Sequence, residues 1–73
     1  MASDRTEFHV VPRRGRWQIT RDGRRVSVSD RKVDAIERAV DQARQAQPSQ
    51  VIIHTADGRI ENEHTYQADP DGG

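Results

Sequence analysis

Seventy-three residues leave room for one small domain, and with 33% of them charged and 32% hydrophobic the chain fits a compact module with a thin core. The formal net charge is zero but unevenly spread: Met1 to Lys32 hold nine Arg/Lys against four Asp/Glu, and Val33 to Gly73 hold three against eight. With no cysteine, disulfide frameworks and thiolate metal sites are excluded. The longest apolar run, Val51-Ile52-Ile53, is far too short to span a membrane, and the opening MASDRTEF has no apolar leader core, so the expected location is the cytoplasm.

Phe8-His9-Val10-Val11 is a β-prone run stopped by Pro12, and Arg13-Arg14-Gly15-Arg16 then forms a loop. Trp17, Ile19, Val26 and Val28 are apolar at alternate positions around Asp22-Gly23. A tight type I′ turn there would set Trp17 opposite Val28 and Ile19 opposite Val26, making one face apolar. From Val33 the period becomes helical: Val33, Ile36, Val40 and Ala43 share a stripe, widened by Ala39 and Ala46. The spacing predicts a helix over about 31–47, capped by Ser29 or Asp30, with Asp34 complementing the dipole, Arg38 one turn further on its wet side, and Pro48 ending it. Strand 51–54, a turn at Ala56-Asp57-Gly58 and a returning strand from Arg59 to about Thr65 complete the chain of elements.

Thr20, Asp22, Gly23 and Arg24 recur as Thr55, Asp57, Gly58 and Arg59. Both sets sit between β-prone runs, so shared turn chemistry accounts for the recurrence without a duplicated functional loop. The fold class is therefore α+β, one helix packed on a four- or five-stranded mainly antiparallel sheet in the order β-β-(β)-α-β-β. The domain is expected over 7–66, between flexible ends at 1–6 and 67–73.

Several stretches taken together resemble one family: HVVP at 9–12, Trp17 with the hairpin glycine after it, SDRKVDAIERA at 29–39, VIIHTADGRI at 51–60 and TYQADP at 65–70. The pattern is similar to DUF2188, small prokaryotic and phage proteins of unknown function, over about 9–70. It departs at Arg31, which stands where the family pattern has a threonine, so Asp30 would take over capping. The resemblance implies a fold and a non-secreted origin, and it implies no activity or cofactor.

An up-and-down arrangement would gather Arg13, Arg14, Arg16, Arg31, Lys32 and Arg59 at one end of the sheet, beside the free N–H groups of the helix start, as a phosphate-binding end for DNA or RNA. The competing reading is a solvated arginine-rich surface or a protein contact, favoured by the zero net charge and by Trp17 reading as core. His9, His54 and His64 invite a metal, yet without cysteine, a helical His pair or a telling third carboxylate the expectation is none. His54 with Glu61 or Glu63 and Arg59 has the ingredients of acid–base chemistry, but so small a chain offers little water-excluding concavity, so no enzyme is expected. In a two-residue turn His54 would face Glu61, and in a three-residue turn Ile60. A single helix leaves one sheet face, with Val11 and Ile52, uncovered. A chain this small with neither disulfide nor metal commonly gains stability by associating. The first expectation for function is thus a non-enzymatic, self-associating interaction module; the alternative is a nucleic-acid-binding accessory protein.

Overall fold

The computed structural model describes residues 5–67, and most of the two ends read as flexible lies outside them; Thr6, within that reading, instead opens the first strand. The elements are β1 (Thr6–Arg13), β2 (Arg16–Arg21), β3 (Arg24–Ser29), α1 (Lys32–Gln45), β4 (Ser49–His54) and β5 (Ile60–Tyr66). They form one five-stranded sheet in the order β3-β2-β1-β4-β5 with the helix on one side. Every neighbouring pair is antiparallel except β1 and β4, which the helical crossover makes parallel. The Gln47–Pro48 peptide that leads into β4 is cis.

β1 runs through Pro12, which pairs with Trp17. The ring is tolerated because β4 stops pairing at Val10↔Ile53, so the ladder position where Pro12 lacks an N–H has no neighbour to disappoint. The arginine loop is correspondingly short: Arg14 and Gly15 alone make the turn, both at positive φ (51° and 79°). Asp22 and Gly23, at 49° and 89°, form the second such turn, as the type I′ geometry requires. Asp22 also ties this turn to β1, its N–H donating to the Glu7 carbonyl at 2.8 Å while the Glu7 N–H donates to its carboxylate at 3.0 Å.

The expected register of this hairpin fails halfway along. After Thr20↔Arg25 a bulge inserts Val26, so Ile19 faces Ser27 and Trp17 faces Ser29. One added residue reverses the faces of the rest of β3: Ser29 is buried on the helix side, while Val28 is on the other face with Gln18 and is 38% exposed.

The helix is shorter than its periodicity suggested, and its buried stripe is Ala35, Ala39 and Ala43, with Ile36 and Ala46 half-buried beside it. Val33, read as core, is 49% exposed. The bulk of the core comes from the sheet (Phe8, Val10, Ile19, Val51, Ile53), and alanines let the helix seat closely over those larger side chains. Trp17 and Ile36 pack at the margin of this core rather than at its centre. Neither Ser29 nor Asp30 caps the helix: Arg31 is the N-cap residue and makes no side-chain cap bond, and Asp30 pairs with Arg16. At the other end the Ser49 hydroxyl donates to the Ala43 carbonyl, pinning the last helical turn to β4.

Candidate functional site

The connectivity brings the β1–β2 turn, the start of α1 and the β4–β5 turn to the same end of the sheet. All six basic residues expected there belong to these three segments, but their surroundings differ. Arg16 pairs with Asp30 at 3.0 Å, Arg59 with Asp57 at 3.5 Å, and Lys32 with Glu61. Lys32 also lies 5.0 Å from the centroid of the Trp17 ring, so its charge is turned inward against an aromatic face. Arg13, Arg14 and Arg31 are exposed, and none has a carboxylate within ion-pair distance among the described residues.

Three of the six share a surface. Arg13, Arg14 and Arg16 line one shallow concavity together with Arg25 and Val28. Arg31, Lys32 and Arg59 are not part of it. Arg25 is the residue that sequence reasoning missed. Its signal was the tight Asp22-Gly23 turn, which sets it opposite Thr20 and so on the face away from the buried Ile19. Val28 reaches the same face only through the bulge.

The helix-free face can be traced by register. Phe8 and Val10 point into the core, so Glu7, His9 and Val11 take the other side of β1. Gln50, Ile52 and His54 do so on β4, with Glu63 opposite Ile52 and Ile60 opposite His54. No described element covers this face. It carries Val11, Val28 and Ile60 among polar groups, with Ile52 reduced to 7% exposure by its neighbours. The arginine concavity draws on β1, the β1–β2 turn, β2 and β3, while the carboxylates Glu7 and Glu63 lie on β1 and β5.

The acid–base constellation does not assemble. The β4–β5 turn is the three-residue kind, closed by Gly58 N–H to the Thr55 carbonyl at 2.9 Å, and His54 faces Ile60. Glu61 turns to Lys32 instead, and Glu63 accepts from the Gln50 amide at 3.2 Å. Within that turn the Thr55 hydroxyl donates to the Asp57 carboxylate. That bond holds the carboxyl below its ordinary range, slight desolvation opposes it, and backbone N–H donors assist.

The three histidines divide. His64 is opposite Val51 and so on the helix side of edge strand β5, exposed. His9 and His54 meet on the other face, with His9 Nδ1 and His54 Nε2 3.0 Å apart and the rings at 25° to one another. His9 Nε2 contacts a Glu7 carboxylate oxygen at 3.1 Å, and His54 Nδ1 the Gly58 carbonyl at 3.2 Å. Among the described residues no group of three or more His, Asp or Glu converges as a metal site, and no helix is long and apolar enough to cross a membrane.

The family model described as "Uncharacterized protein conserved in bacteria (DUF2188)" matches residues 8–66, and the chain belongs to that family. No curated protein and no solved structure matches the chain.

Proposed function

We propose that this member of the family is a non-enzymatic interaction module that associates with a second copy of itself through the helix-free face of its sheet. The observation that carries the reading is that face. It spans five strands, lacks a covering element among the described residues, and carries Val11, Val28, Ile52 and Ile60 together with the arginine concavity and the carboxylates of Glu7 and Glu63. Two copies stacked face to face would each offer the other a charge of opposite sign, which favours a self-complementary, two-fold contact. The thin core supplies the motive, since a chain of this size gains stability by burying further apolar area. The lack of cysteine suits a reducing compartment, and a cytoplasmic location goes with the reading.

Sedimentation equilibrium over a wide concentration range tests it. Wild type should shift from monomer to dimer. Val28→Asp, which adds a charge at an exposed position, should remain monomeric with its circular dichroism unchanged. A wild type that stays monomeric at the highest concentration, with the same melting temperature on dilution, rejects the reading.

A second reading draws on a different observation, the concavity lined by Arg13, Arg14, Arg16 and Arg25. Guanidinium groups converging on a shallow surface suit phosphate oxygens, so the alternative role is an accessory protein binding DNA or RNA by its backbone. Arg31, Lys32 and Arg59 would contribute less, because all three stand outside the concavity.

A further inference from the structure

Among the described residues, β3 and β5 are the edges of the sheet, each paired on one side alone, and an edge presents a row of backbone N–H and C=O groups without a ladder partner. The two edges differ in charge. β3 opens on Arg24 and Arg25 and has no carboxylate, whereas β5 carries Glu61 and Glu63 and has no arginine or lysine. Pairing β3 with β3 brings arginines together, pairing β5 with β5 brings carboxylates together, and only β3 with β5 sets opposite charges across the contact. Three of the four large hydrophobic side chains that stand exposed among the described residues, Val26, Val28 and Ile60, also belong to these two strands.

We propose that β3 of one copy pairs with β5 of a second copy of this chain, edge to edge and head to tail. Strand direction allows it: β3 runs with β1, β4 is parallel to β1 and β5 runs against β4, so two copies in the same orientation meet as an antiparallel pair. One register suits both edges. Each strand has one inserted residue, Val26 in β3 and Glu61 in β5, so Arg25 and Val28 share the helix-free face although three positions apart, and so do Glu63 and Ile60. With Arg25 opposite Glu63 of the second copy, Val28 falls opposite its Ile60, an ion pair and an apolar pair on one face. A shift of one residue sets Arg25 against Asn62 or His64, both on the helix side, and a shift of two sets Val28 against Asn62 or Gly58. The exposed ion pair selects the partner edge more than it tightens the contact. This pairing does not rest on the face-to-face contact, since its hydrogen bonds run within the sheet rather than between stacked faces. Being head to tail, it leaves β3 free at one end and β5 free at the other, so growth does not stop at two copies. Edges of six and seven residues make a small contact, so growth is expected at high protein concentration.

The experiment is a concentration series of the full chain followed by sedimentation velocity and by amide hydrogen exchange. Wild type should form species larger than a dimer, and as they form exchange should slow at amides of β3 and β5. Face-to-face stacking alone stops at two copies and adds no backbone hydrogen bond to either edge, so each contact can fail without the other. Arg25→Glu and Glu63→Arg, both at exposed positions, should each lose the larger species with circular dichroism unchanged, because like charges then meet across the contact. An equimolar mixture of the two variants should recover them, since the altered strand of each then meets an opposite charge on the other. A wild type that never exceeds a dimer, edge amides that exchange at one rate at every concentration, single variants that assemble as well as wild type, or a mixture that stays as small as its components would each overturn the pairing.

Discussion

Lys32 carries its ammonium 5.0 Å from the centroid of the Trp17 ring while it is paired with Glu61, linking the first turn of α1, β2 and β5 at one end of the sheet. Trp17 is thus lidded by a cation at the rim of the core, while Phe8 is wholly buried at the centre. Phe8→Ala should cost about 4 to 5 kcal/mol and Trp17→Ala about 3, towards the lower end of the range for large aromatic truncations. Lys32→Ala should cost about 0.5 to 1 kcal/mol through the ring contact alone and should shift the tryptophan emission. Urea unfolding of the three variants checks the order; a Trp17→Ala cost equal to or above that of Phe8→Ala would contradict the marginal placement.

Ser29 offers a test of the helix start. As a cap its loss would cost about 0.5 to 2 kcal/mol. Its hydroxyl is instead buried with no hydrogen-bond partner among the described residues, so removing it removes a desolvated polar atom. Ser29→Ala should leave the melting temperature unchanged or raise it. A drop of several degrees would restore the capping role.

These two cases mark how far the sequence could be read. Element order, both DG turns and the uncovered sheet face are legible in local chemistry: glycine at positive φ, the change of period from 2 to 3.6, and a single amphipathic helix. The bulge at Val26 has no such signature, because a valine in a strand looks the same whether it is paired or inserted, yet it decides the faces of Val28 and Ser29. The buried helix stripe departs from the periodic one for a related reason. Valine and isoleucine weigh more than alanine in any hydrophobic pattern, whereas close seating on a sheet of bulky residues selects alanine. The meeting of His9 with His54 depends on β1 and β4 being parallel neighbours, a long-range pairing that local spacing does not encode. Of the six basic residues, topology brings all to one end, but only Arg13, Arg14 and Arg16 line the arginine concavity, and Arg31, Lys32 and Arg59 stand outside it.

Asp57 gives a prediction in pH. Its carboxyl is held below the ordinary value of 3.8, first by the Thr55 hydroxyl. A depressed carboxyl contributes stability above its unfolded value, and that contribution is lost as pH falls below 3.8 and through the folded one. Thr55→Val removes the donor, so the Asp57 midpoint should rise towards 3.8 and the difference in stability between wild type and variant should disappear in stronger acid. Carboxyl-carbon NMR titration reads the midpoint directly; an unchanged value would show that the hydroxyl does not hold the carboxylate.

The nucleic-acid reading is tested by salt. Contacts between arginines and phosphates release counterions, so affinity for duplex DNA, single-stranded DNA or RNA should fall steeply with salt, and each contacting arginine removed should lower the slope by about one unit. Because Arg13, Arg14, Arg16 and Arg25 line one concavity, Arg25→Ala should lower the slope as much as any of the other three. Arg59→Ala should change it little, since Arg59 stands apart from that surface. The triple change Arg13→Ala, Arg14→Ala and Arg16→Ala should remove most of the salt dependence while leaving the core untouched, as all three side chains are exposed. If wild type binds none of the three nucleic acids at low salt, or the triple variant binds with an undiminished slope, the concavity does not serve phosphate. Its arginines are then left to the face-to-face contact, where Arg25→Ala should weaken self-association and added salt should do the same.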